Sequence, residues 1–216
     1  MSLLQRVRDG VTRLLWHIHR PESPWERVTI QVPATVFGPG SRRHFAEYFQ
    51  GESCVRVSSI DDIVEWLQTC QYVTDTEQFN ERDRWQHPGT FELVRRGDCE
   101  DFALWAWRKL AELGIEAELY VGRIACGEAG IRRQHAWIVY RIEGADFLFE
   151  PAAGERQRMI RPLTEAMNDY VPHFAVNRDL ATSAFVGCIL DFHPSTLRQA
   201  QGRPEQGRGT TKLGVP

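Results

Sequence analysis

The sequence predicts an α+β fold in which a helix starting at Cys99 packs on an antiparallel sheet. Two observations carry this expectation. Helical periodicity comes first along the chain, and consecutive strands follow it instead of alternating with it as a parallel sheet requires. The 216 residues, 42% of them hydrophobic, can bury one sizeable core and fall short of two. The expected organisation is an N-terminal extension over 1–58 packed on the core, a main domain over 59–197 and a disordered tail over 198–216.

Leu3, Leu4, Val7, Val11, Leu14, Leu15 and Ile18 recur at helical spacing, with Arg6, Arg8, Arg13 and Arg20 off that face and Pro21 and Pro24 closing the segment. This amphipathic helix is expected to pack on its own domain; a membrane surface or a partner protein is the alternative for its apolar face. Residues 27–36 read as a strand and "FGPGS" as a turn. Ser59 is placed to cap a helix through "SIDDIVEWLQTCQYV", whose buried stripe is Ile60, Ile63, Val64 and Leu67. The Cys99 helix ends at Gly114. "AELYVGRIAC" and "QHAWIVYRI" read as strands, and "EGAD" turns the second into "FLFEP". From Arg198 the chain is rich in Gly, Gln, Arg and Pro and has almost nothing to bury.

A net charge of −3, with arginines interspersed among acids, argues against nucleic acid as a partner. The five cysteines, Cys54, Cys70, Cys99, Cys126 and Cys188, are odd in number and form no CxxC pair, so neither a disulfide framework nor a zinc site is expected. The first twenty residues lack a signal peptide's continuous apolar run, and no later segment nears the roughly 20 apolar residues of a membrane span. A cytoplasmic protein without a transmembrane segment is the expectation.

The chemistry concentrates at "RRGDCEDFALWAWRKLAELG". Asp98 is a plausible N-cap, which puts Cys99 in the first helical turn on the same face as Phe102, Ala103, Ala106, Leu110 and Leu113. Unpaired N–H groups and the positive end of the helix dipole favour a thiolate there. Asp98, Glu100 and Asp101 oppose it, because a negative neighbour raises a thiol's pKa. An imidazolium would reverse that balance, and His135 in "RQHAWIVYRI" is the candidate. Glu150 in "FLFEPAAG" is placed to orient it. If Glu143 and Gly144 form a two-residue turn, Trp137 faces Glu150 and His135 lies diagonal to Glu150 on one face, while a one-residue slip would separate them.

"GDCEDFA", a helix ending in "LG", a strand "HAW" and then "FEP" resemble the transglutaminase-like superfamily, and most closely the bacterial transglutaminase-like cysteine proteinases. The resemblance covers roughly residues 60–154. It implies a papain-like α+β core and a Cys, His, Asp triad, with Cys99 matching the nucleophile and His135 the general base. Glu150 stands where the family usually has Asp, followed by Pro151 as in its "DP". Trp85 or Gln86 in "DRWQHPGTF" resembles a position that helps hold the oxyanion, and Trp85, Trp137 or both are expected to wall the cleft, because acyl transfer needs a partly dry pocket. The family's periplasmic proteases bind calcium through the same "DCED" block, but complementing the helix dipole is the role expected of Asp98, Glu100 and Asp101, and no metal site is assigned to them.

The reaction expected is acyl transfer by Cys99, His135 and Glu150, hydrolysing an amide or peptide bond in a protein or peptide substrate. It requires no cofactor. Transamidation passes through the same acyl-enzyme and is the alternative within the class; an inactive binding module that keeps the fold is the alternative outside it.

Overall fold

Ser59 opens the first described α-helix as its spacing predicts: its hydroxyl accepts the Asp62 N–H at 3.1 Å, and Ile63, Val64 and Leu67 face the core. This helix, α1 (Ile60–Leu67), ends six residues before the predicted end. Gln71 and Tyr72 leave it to form a short strand, β2 (Gln71–Tyr72), parallel to β3 (Arg96–Gly97). The computed structural model describes residues 23–28, 32–38, 40, 41, 43–126 and 131–188. The amphipathic segment before Arg20 and the tail from Arg198 lie outside the described residues.

Residues 27–36 are not one strand. Arg27–Val28 form β1, and a 3₁₀ turn runs over Ala34–Val36. Pro33, extended at φ −67° and ψ 148°, leads into that turn; its ring fixes φ and removes the N–H a sheet ladder needs. The predicted turn at "FGPGS" has its hydrogen bond from Ser41 N–H to the Gly38 carbonyl.

Two short helices, α2 (Asp75–Phe79) and α3 (Pro88–Val94), lead to α4 (Cys99–Glu112). This helix is buried almost all round, from Glu100 to Ala111, rather than along one stripe. The sheet covers one side. On the other, Trp105 stacks on Trp66 at 3.9 Å and Phe102 meets Phe91 at 4.9 Å. Its cations go inside with it: Lys109 pairs with Glu92 at 3.1 Å and Glu112 at 3.0 Å, and Glu92 also accepts the indole N–H of Trp105 at 2.9 Å.

The sheet follows. β4 (Glu116–Cys126) and β5 (Ile131–Ile142) pair antiparallel, and β6 (Ala145–Phe149) returns along β5. Glu143 and Gly144 have φ of 52° and 81°, the two left-handed positions of a type I′ turn, so Ile142 pairs with Ala145 as predicted. β7 (Ile160–Pro162), β8 (Tyr170–Asn177) and β9 (Thr182–Phe185) complete seven strands in the order β1-β9-β8-β4-β5-β6-β7. Ala136, Ile138 and Tyr140 face the helical layer, while Trp137 and Val139 join Tyr120, Tyr170 and Phe185 in a second core on the other face.

Candidate active site

The start of α4 is held by its own third residue. The Asp101 carboxylate accepts the Asp98 N–H at 3.4 Å, the reciprocal half of a capping box. It also accepts the Gln86 N–H at 2.7 Å and bonds the Gln86 side-chain amide, which ties the loop carrying Asp83 and Trp85 to the helix. A Cβ at Gly97 would overlap that carboxylate, so glycine permits the close approach.

Cys99 is partly buried, and its thiol donates to Glu100 Oε2 at 3.1 Å. Burial, then the charges of Glu100 and Asp98, push its pKa well up; the Ala136 backbone acts the other way. Burial raises the pKa values of both Glu100 and Asp98 as well, Glu100 the more strongly, since the charge of Asp98 adds to its burial. Cys99 and His135 line one cleft of about 530 Å³; among the described residues no hydrogen bond joins them, the thiol being turned to Glu100.

His135 Nε2 lies 2.6 Å from Glu150 Oε2, and the same oxygen accepts the Tyr170 hydroxyl at 3.0 Å. Glu150 is fixed further by its N–H, which donates to the Met159 carbonyl at 2.7 Å, and by the Ala152 N–H reaching Oε1 at 3.4 Å. The pairing rests on the turn at Glu143 and Gly144, which sets the register of β5 and β6.

The oxyanion candidates meet different fates. Trp85 lines the cleft, but its indole N–H donates to Asp83 Oδ1 at 2.9 Å. Gln86 is buried beneath the cleft, its amide donating to the Arg96 carbonyl at 2.9 Å and to Asp101. Trp137 does not wall the Cys99 cleft. It is fully buried in the second core, stacked on His135 at 6.4 Å and against Tyr120 at 5.9 Å, so that His135, of the same strand parity but at the open end, reaches the cleft and Trp137 does not.

Sequence reasoning missed Tyr72, which overhangs the cleft, and Asp75 and Asp83, which join the "DCED" carboxylates. No local pattern marks them, since they arrive from separate segments. Asp75, Asp98 and Asp101 bring oxygens within 4.8 Å of one another, as do Asp75, Asp83 and Glu100. Asp75 Oδ1 and Asp98 Oδ1 are buried without partners. Hard, negatively charged oxygens left unsatisfied fit a Ca²⁺-type cation.

Those carboxylates set a pH dependence. Burial raises Asp75 to about 6 and Asp101 to about 7. Unfolded carboxyls titrate near 4, so between these limits the folded chain binds more protons, and stability falls as pH rises. The contribution is complete below about pH 4 and gone above about pH 7. Thermal melts in chelator should therefore show the melting temperature decreasing from about pH 5 to 8, with Ca²⁺ flattening the profile; an increase in chelator over that window would contradict the titration.

The profile of the family described as bacterial transglutaminase-like cysteine proteinase matches residues 45–176. No curated protein matches the chain. Among solved structures, Legionella pneumophila LapG is similar at 16% identity over 76% of this chain and 87% of that one, with a TM-score of 0.44. Calcium-bound LapG is similar at 18% identity over 65% and 77%, with a TM-score of 0.42. A putative cysteine protease from Cytophaga hutchinsonii shares 18% identity over 64% of this chain, which spans only 39% of that protein, with a TM-score of 0.38. With most of its described residues inside the family match, the chain belongs to the bacterial transglutaminase-like cysteine proteinases.

Proposed function

We propose that the chain hydrolyses peptide or amide bonds with Cys99 as nucleophile, His135 as general base and Glu150 as the residue that orients the imidazole. The contact between His135 and Glu150 carries this reading. Because Glu150 engages Nε2, Nδ1 is the nitrogen left to serve the thiol. Cys99 passes its proton to Nδ1 and attacks the carbonyl; His135 then gives that proton to the leaving amine, and water, deprotonated by the imidazole, resolves the acyl-enzyme. The Cys99 backbone N–H is the oxyanion donor in this scheme, since the side chains of Trp85 and Gln86 are committed elsewhere.

The thiol must leave Glu100 to meet the imidazole. Asp75, Asp83, Asp98, Glu100 and Asp101 would hold a Ca²⁺-type cation, whose chemistry there is neutralisation of the acids around the sulfur. The bond from Cys99 to Glu100 also favours a second reading, a binding module with a resting thiol.

Alkylation separates the two. On variants retaining Cys99 as the single cysteine, His135→Ala should raise the apparent pKa of the thiol and slow its reaction with iodoacetamide near neutral pH, by about tenfold for one pKa unit. An unchanged pH profile would remove the ion pair and leave the binding module. The proposal keeps the cytoplasmic placement suggested by the odd, unpatterned cysteines, which cell fractionation tests. Among the described residues no helix is long and apolar enough to cross a membrane.

A further inference from the structure

His135 has a second cavity on its far side. It measures about 550 Å³ and meets the Cys99 cleft at Tyr72, Gln134 and His135. The two differ in charge. Asp83, Asp98 and Glu100 line the Cys99 side, against Arg82. Arg133, Arg158 and Arg161 line the far side, against Asp169 and Glu150.

The arginines come from three separate elements: β5, the short helix over Arg156–Met159, and β7. Glu150 is already engaged by His135 and Tyr170. Asp169 takes one bond from Arg161 at 3.3 Å, while the Arg161 Nε is buried without a partner. Arg133 and Arg158 have no carboxylate partner among the described residues. Guanidinium forks gathered in a cavity without enough anions suit a carboxylate ligand.

Reaction geometry says which part of a substrate reaches it. The imidazole hands its proton to the leaving amine, so the leaving segment must run beside His135. We infer that this cavity binds a substrate carboxylate on the leaving-group side of the scissile bond, with Arg133 and Arg158 as specificity-determining residues. The inference rests on the peptidase reading. The carboxylate is an Asp or Glu side chain, or the C-terminus of a short leaving segment.

The test uses the full chain, in buffer containing Ca²⁺, on a library of synthetic peptides whose cleavage sites are mapped by mass spectrometry, with Cys99→Ala protein as the blank. Asp and Glu should be enriched within the first three positions after the cleaved bond. For matched peptides, Glu over Gln there should raise kcat/KM about tenfold, less at 0.5 M salt. R133E/R158E should reverse that preference toward Lys; the single R158Q, on an exposed helix, serves if the double variant does not fold. If the preference follows a free C-terminus and disappears on amidation, the ligand is the terminal carboxylate. Cys99-dependent cleavage indifferent to both overturns the inference alone. Absence of Cys99-dependent cleavage overturns the peptidase reading, and calorimetry on the Cys99→Ala protein then decides the site. Tighter binding of Glu than Gln peptides, lost in R158Q, keeps it; equal binding removes it.

Discussion

On the proposed mechanism, replacing Cys99 with alanine is expected to reduce peptide cleavage by about 10⁴-fold or more, because no other described group in the cleft replaces a covalent nucleophile. His135→Ala should cost a similar factor. The double variant should be no worse than either single one, since nucleophile and base act as a unit. Glu150→Gln should lose less: it removes the imidazolium's counter-charge and keeps a hydrogen-bonding group at the same reach. Rates on one peptide, with circular dichroism as the folding control, check the set. Additive losses for Cys99 and His135 would mean that the two do not share a step.

Lys109→Met should destabilise the fold by about 3–5 kcal/mol. Lys109 is fully buried and so, nearly, is Glu92. Removing the ammonium leaves the Glu92 carboxylate uncompensated in the core, which costs far more than the ion pair itself contributes. Glu92 keeps bonds from Ser53 Oγ at 2.6 Å, Cys54 N–H at 2.7 Å and Trp105, none of which carries charge. The double variant Glu92→Leu, Lys109→Met should recover part of the loss. Urea midpoints at constant m check this, and a single variant within 1 kcal/mol of the natural chain would show the pair to be dispensable.

What the sequence disclosed depended on how local the determinant was. The hairpin was legible because two left-handed residues, Glu143 and Gly144, fix the pairing by themselves, and the proximity of His135 to Glu150 follows by counting. The Ser59 cap was legible for the same reason. The end of α1 was not, because Gln71 and Tyr72 are drawn into pairing with Arg96 and Gly97, a partner some 25 residues on. β8 escaped notice because Pro172 argues against a central strand. It is tolerated where the β4 register shifts at Val121 and Gly122, and Gly122 is its partner. Strand parity places Trp137 with His135, but which face carries the cleft wall is decided by tertiary packing. The acid cluster was half legible: "DCED" is contiguous, whereas Asp75 and Asp83 join it through the fold.

Glu150, at the position where the resemblance implies Asp, is supported from three sides, and that support favours the longer side chain. One oxygen of Glu150 serves both His135 and Tyr170 while the other reaches the Ala152 N–H. An aspartate on the same backbone, itself anchored to Met159, is one methylene short and must abandon part of this set. The cost of an aspartate there is therefore set by Tyr170 and the backbone over 150–159 as much as by position 150. No shorter side chain at position 150 reaches all of these partners at once, so an aspartate there would need coordinated changes at Tyr170 and in the 150–159 backbone to be held as firmly.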